Sequence, residues 1–244
     1  MRPVNVTILP TPEAACARAA EIVSEVLVAK PDAVLALPAG NTPRPVYADL
    51  ARRHRELGLS FARATAFTLD EYAGVASDHP SSFRRALNDD LYRHVDLQRA
   101  RARGLDGQAA DLDGACARYE RDIAAAGGLD LCVLGIGGNG HIAFNEPGSP
   151  FDSVTRVVDL AAETRAASAG AFGGGPVPGR ALTMGVATIL AARRCVLLAT
   201  GAAKADVVAR ALQPPPSPAL PASALQLHAD ATFILDAAAA SRLA

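Results

Sequence analysis

The sequence predicts an α/β protein: an open, mostly parallel sheet with helices on both faces, built as a single domain over residues 1–244. Two observations carry this. Short apolar runs alternate along the chain with longer stretches of helical character, the pattern of strand–helix–strand units. Several of the runs, 33–37 and 129–134 among them, are mostly apolar, as strands covered on both faces are. The length agrees, because 244 residues suit one large α/β domain that buries roughly 70–75% of its unfolded surface. No repeat at solenoid periods is present.

Taken in order, residues 4–9 read as a first strand. Thr11-Pro12-Glu13 then offers an N-cap, a first-turn proline and an acidic first turn for a helix to about residue 29. Residues 33–37 form a short buried strand, and Thr42-Pro43 opens a helix to about residue 54. A third strand at 64–69 ends at Asp70-Glu71, and helices are expected over 80–95 and 113–126. Residues 129–136 are the central strand, 155–160 have β-branched strand character, and 163–169 are weakly helical. The stretch 171–179 is rich in glycine and proline and reads as a loop or lid. A short strand and helix at 181–190, a strand at 195–200 and a helix at 204–212 follow. Residues 213–221, with five prolines, form a stiff loop before a last strand at 231–235.

Composition excludes several classes. A formal net charge of −1 supplies no field for nucleic acid, and the paired arginines (Arg52-Arg53, Arg84-Arg85, Arg193-Arg194) read as solvated faces or strand edges. No stretch approaches the roughly 20 apolar residues of a membrane span. The opening Met1-Arg2-Pro3-Val4-Asn5 has no signal-peptide anatomy. Cys16, Cys116, Cys132 and Cys195 show neither Cys-x-x-Cys pairing nor metal-ligand spacing, so they read as small buried hydrophobes in a reducing, cytoplasmic compartment. No metal is expected. Oligomeric state is not legible, and a homo-oligomer is compatible with this reading.

The most informative stretch is Gly135-Ile136-Gly137-Gly138-Asn139-Gly140-His141-Ile142-Ala143-Phe144-Asn145-Glu146-Pro147. It leaves the end of a buried strand, where open α/β sheets build sites. Its glycines let the backbone approach a ligand, and Asn139, His141 and Glu146 place an amide, a proton acceptor and a carboxylate close together. Gly135-x-Gly137-x-x-Gly140, with Asp159 about 20 residues on, also fits a dinucleotide fingerprint. That fingerprint needs a helix opening near its third glycine, and Pro147, Gly148 and Pro150 leave room for less than two turns. Nicotinamide binding is therefore set aside.

Two further strand ends are polar. Pro38-Ala39-Gly40-Asn41-Thr42-Pro43 leads into a helix N-terminus, which suits a phosphate, although an ordinary capped turn has the same composition. Asp70-Glu71 can act as a base, bind a metal or cap the next helix. His54, His79, His94 and His228 form no ligand set. Lys204 stands just past a strand end and is placed to reach an anion, or to lie solvated at a helix start.

Together, Leu37-Pro38-Ala39-Gly40-Asn41-Thr42-Pro43, Phe67-Thr68-Leu69-Asp70-Glu71-Tyr72 and Gly140-His141-Ile142-Ala143-Phe144-Asn145-Glu146-Pro147 resemble the glucosamine-6-phosphate deaminase family. Ser153-Val154-Thr155-Arg156, Ala181-Leu182-Thr183-Met184-Gly185 and Leu225-Gln226-Leu227-His228 extend the likeness over nearly the whole chain. It implies a Rossmann-like sheet and a cofactor-free conversion of glucosamine 6-phosphate to fructose 6-phosphate and ammonia. By that likeness His141 opens the sugar ring, tuned by Asn139 and Glu146, and Asp70 moves a proton from C2 to C1. The phosphate would rest on Gly40, Asn41, Thr42 and Lys204, near Gly137. Gly170 stands where the family often carries a phosphate-binding arginine, with Arg165 or Arg180 as substitutes. Other readings are a galactosamine 6-phosphate deaminase, a 6-phosphogluconolactonase, or a non-catalytic sugar-phosphate-binding protein.

Overall fold

Seven strands form one sheet in the order β1 (Asn5–Leu9), β10 (Ala231–Asp236), β9 (Arg194–Ala199), β6 (Leu131–Leu134), β2 (Val34–Leu37), β3 (Thr65–Thr68) and β5 (Ala102–Arg103). Every neighbouring pair is parallel. The structure is a computed structural model and describes residues 4–243. The predicted architecture of a mostly parallel sheet with helices on both faces is what it shows.

Strand alternation sorts the core into two layers. Val34 and Ala36 of β2, Cys132 and Leu134 of β6, and Leu197 of β9 join one apolar cluster. Their alternates Leu35, Leu37, Leu131, Val133 and Leu198 join another. A pleat of period two sends successive side chains to opposite faces, so a strand covered on both sides must be apolar throughout. The second layer is closed by α1 (Pro12–Ala29) and α2 (Arg44–Leu57), the first by α4 (Leu112–Ala125) and α7 (Ala205–Leu212). Thr11 caps α1 as expected, accepting the Ala14 N–H at 3.2 Å.

Four expectations change. The strand read at 64–69 and carried into Asp70-Glu71 is two strands. β3 stops at Thr68, and β4 (Asp70–Tyr72) turns into a separate antiparallel sheet with β8 (Arg180–Thr183) and β7 (Arg156–Asp159). The switch is locked where Met184 N donates to Leu69 O at 2.7 Å. The helix expected over 80–95 is the shorter α3 (Phe83–Asp90), because Ser82 caps its start and Leu91, at φ −136°, leaves helical geometry at its end. The helix after Pro38–Pro43 opens at Arg44, one residue later than Pro43, and has no side-chain cap. The edge strand β5 carries no sequence signal, since two residues are too few for any periodicity. α5 (Ala162–Ser168) and α6 (Val186–Leu190) lie close to where they were expected.

The four cysteines are buried and unpaired by disulfides. No described helix is long and apolar enough to cross a membrane.

Candidate active site

Four adjacent strand ends assemble the site. β9, β6, β2 and β3 are neighbours, and the sheet grows outward from the β6–β2 pair in both directions. From β2 the chain proceeds to β3 and β5, and from β6 to β9 and β10. Such a switch point opens a crevice beyond the carboxyl ends of the strands, where α/β proteins hold ligands. The elements that follow these four ends carry Lys204, the loop 135–147, the loop 38–43 and Asp70 respectively.

No helix follows Gly140, so the dinucleotide fingerprint lacks its anion-holding turn. Instead the chain folds into tight turns, with Gly140 N donating to Gly137 O and Asn145 N to Ile142 O, both at 3.0 Å. Ala143 is held in the left-handed region at φ 49°, which costs roughly 1 kcal/mol for a residue with a Cβ. Arg156 on β7 braces the turn: its guanidinium donates to Asn145 Oδ1 at 2.8 Å and Ser149 Oγ at 3.0 Å. Asn145 Nδ2 donates to Met184 O at 2.8 Å, and Phe144 N to Thr183 Oγ1 at 3.0 Å. Since Thr183 is the register partner of Asp70, β8 ties the His141 loop and Asp70 to one place.

His141 and Glu146 lie at the heart of the loop. The Nδ1 atom of His141 is 3.6 Å from Glu146 Oε2 and has no hydrogen-bond partner among the described residues. Asn139 bridges them, its amide donating to Glu146 Oε2 at 2.8 Å while its Oδ1 accepts the His141 N–H at 3.2 Å. Burial works against charge on Glu146, but His141, Thr164 and Asn139 outweigh it and hold the carboxyl at about 2. Glu146 is thus a fixed anion beside an imidazole, ready to receive the charge when His141 takes up a proton. The ring rests on Gly137: a Cβ there would fall 2.3–2.5 Å from Cε1, Nε2 and Nδ1. The Gly137 N–H donates to His141 O at 3.0 Å, so this glycine provides room for the ring and not a free donor for phosphate.

The two adjacent carboxylates divide their work. Glu71 caps α3, accepting from Ser82 Oγ at 2.6 Å and from the Phe83 and Arg84 amides at 3.2 Å each. Asp70 is 8% exposed. Burial, and then the charge of Glu71, push its carboxyl up to about 8. A base that exchanges protons near neutral pH is what proton shuttling requires.

On the other side, Gly40 has φ 121°, a conformation open to glycine. The amides of Gly40, Asn41 and Thr42 donate to nothing among the described residues. The Lys204 ammonium donates to Ile136 O at 2.7 Å, and burial lowers its pKa. Free amides and an ammonium are groups that can hold an anion. Arg180 lines a cavity with Gly74 and Gly107, and Arg165 lies exposed on α5. A Cβ at Gly170 would meet nothing within 4 Å.

Of the remaining histidines, His79 accepts the Ser81 N–H at 3.1 Å, His54 contacts Leu59 O at 2.6 Å, and His228 contacts Ala192 O at 2.7 Å. Among the described residues no group of three or more His, Cys, Asp and Glu side chains is placed to hold a metal. The supporting roles of Thr183, Met184 and Arg156 were not legible beforehand, since they depend on antiparallel pairing between strands of three and four residues.

This set of strand ends, with His141 beside Glu146, a buried Asp70 and Lys204 on neighbouring elements, has close counterparts. The family of glucosamine-6-phosphate isomerases and 6-phosphogluconolactonases matches residues 11–234. The chain belongs to that family. The glucosamine-6-phosphate deaminase of Rhodopirellula baltica is 48% identical over 241 residues, 98% of this chain and 96% of the relative. That of Bacillus velezensis is 47% identical over 224 residues, 91% of this chain and 93% of the relative. A solved monomeric glucosamine-6-phosphate deaminase superposes with a TM-score of 0.94 at 44% identity, covering 98% of this chain and 99% of its own. A 6-phosphogluconolactonase from Trypanosoma cruzi shares the fold at 23% identity and a TM-score of 0.81.

Proposed function

We propose that the protein is a glucosamine-6-phosphate deaminase, converting glucosamine 6-phosphate and water to fructose 6-phosphate and ammonia. The observation that carries this reading is the pairing of His141 on Glu146 with a buried Asp70 of raised pKa, at one switch point. His141 accepts the proton of the anomeric hydroxyl, the C1–O5 bond breaks, and O5 takes a proton. Glu146 steadies the imidazolium while it exists, with Asn139 holding the carboxylate in place. Ionised Asp70 then removes the C2 proton of the open-chain aldehyde while O1 takes a proton, giving an enolamine. Return of the proton from Asp70 to C1 turns the enolamine into an iminium at C2, water adds there, and ammonia leaves. Gly40, Asn41, Thr42 and Lys204 hold the phosphate, and Gly137 makes space for the imidazole.

All of these groups come from one chain. Four buried free thiols and a small phosphorylated substrate support a cytoplasmic enzyme.

The direct test is release of ammonia from glucosamine 6-phosphate coupled to detection of fructose 6-phosphate. No turnover above background would end the proposal for this substrate. A panel with galactosamine 6-phosphate and 6-phosphogluconolactone separates a paralogue or lactonase from a binder. Lys204→Ala is expected to raise KM about 10- to 100-fold, the worth of one charged contact to phosphate. An unchanged KM would place the anion elsewhere.

The pH profile offers a separate check. Asp70 must be ionised to take the C2 proton, so kcat/KM is expected to rise with pH with the midpoint of the limb near 8. Glu71→Gln removes the like charge beside Asp70 and is expected to move that limb to lower pH. A limb that stays in place would mean that a different group controls it.

A further inference from the structure

Outside the active site, a cavity of about 600 Å³ lies between α3 and the edge strand β5. Its wall includes Arg84, Arg85, Arg99 and Arg103, opposed by Asp78 and Asp89. Arg85 and Arg93 are both held by Asp89, at 3.4 Å each, and Arg85 also donates to Asp78 O at 2.6 Å. Arg84, Arg99 and Arg103 have no ion-pair partner among the described residues. Three unspent guanidiniums around one hollow, in a chain of net charge −1, are not explained by the fold.

A further observation concerns Arg84 itself. Its stem lies over Gly104, where a Cβ would come within 3.1 Å of Cδ, so the aliphatic part of this side chain is packed beside the hollow.

We propose that this cavity binds a phosphorylated metabolite of mononucleotide size, its phosphate held by Arg84 and Arg103. Arginine forks match phosphate oxygens in geometry as well as charge. Inorganic phosphate alone would leave most of 600 Å³ empty, whereas ligand pockets for small organic molecules span about 300–1,000 Å³. The site is distinct from the Lys204 anion site and independent of the deaminase reading. It is nonetheless connected to the crevice, because the Arg84 amide donates to Glu71, the neighbour of Asp70.

Titration calorimetry with pyrophosphate, AMP and adenosine tests it. Wild-type protein is expected to bind pyrophosphate and AMP but not adenosine. In an Arg84→Ala/Arg103→Ala variant the number of pyrophosphate sites is expected to fall by one, or that site to weaken about 10- to 100-fold. This holds whichever residues bind the other anion. Arg103→Gln, a change at an exposed side chain, gives the same readout if the double variant does not fold. Unchanged stoichiometry and affinity in the folded variants would overturn the proposal, as would equal binding of AMP and adenosine.

Discussion

Replacing Asp70 with Asn is expected to remove turnover and, in the same protein, to raise stability. Loss of the proton-shuttling carboxyl should lower kcat about 10²–10⁴-fold, the usual contribution of a positioned base. The stability gain follows from linkage. Asp70 is pushed from an ordinary 3.8 to about 8 by burial and by Glu71. Below about pH 4 it is protonated in both folded and unfolded chains. Between that pH and about 8 the unfolded chain ionises it and the folded chain does not, so stability is lost as pH rises through this window. Asparagine has no ionised form to favour the unfolded state. The variant should therefore gain about 2–4 kcal/mol at neutral pH and lose the advantage in acid. Denaturant melts at pH 4 and pH 8 measure this directly. Equal stabilities at both values, or a variant that turns over normally, would remove Asp70 from the role assigned to it.

Gly137→Ala should be nearly as damaging, for a steric reason. The added methyl would meet three atoms of the His141 ring at 2.3–2.5 Å, far inside contact distance. The imidazole must shift by about 1 Å, and displacements of that size in a catalytic group can cost about 10²-fold. Glu146 and Asn139 remain in place, so the loss should fall on kcat more than on KM. Gly138→Ala is the control, because a Cβ there meets nothing within 4 Å. If both variants retain wild-type kcat, the ring does not depend on the space above residue 137.

Much of this site was readable in the linear chain because its signals are local. The glycines and the His141–Glu146 spacing lie within one loop, and the buried runs at 33–37 and 129–134 announce strands whose ends must hold it. The burial of the cysteines and the cap at Thr11 followed from neighbours in sequence. Asp70 and Glu71 were different. As adjacent carboxylates they are interchangeable on paper, and capping suited either. Their roles separate because Ser82 and the α3 amides reach Glu71, leaving Asp70 buried beside its charge.

Amino-acid order settled the layered α/β architecture, since alternation and apolar runs act through the local geometry of strand and helix. It also pointed to the loops proposed to carry the chemistry. The division of labour between the two carboxylates, the bracing of the histidine loop by β8 and Arg156, and the arginine cavity beside β5 came from contacts between distant segments. Such contacts depend on register and burial, and neither leaves a periodic trace in a strand of two to four residues.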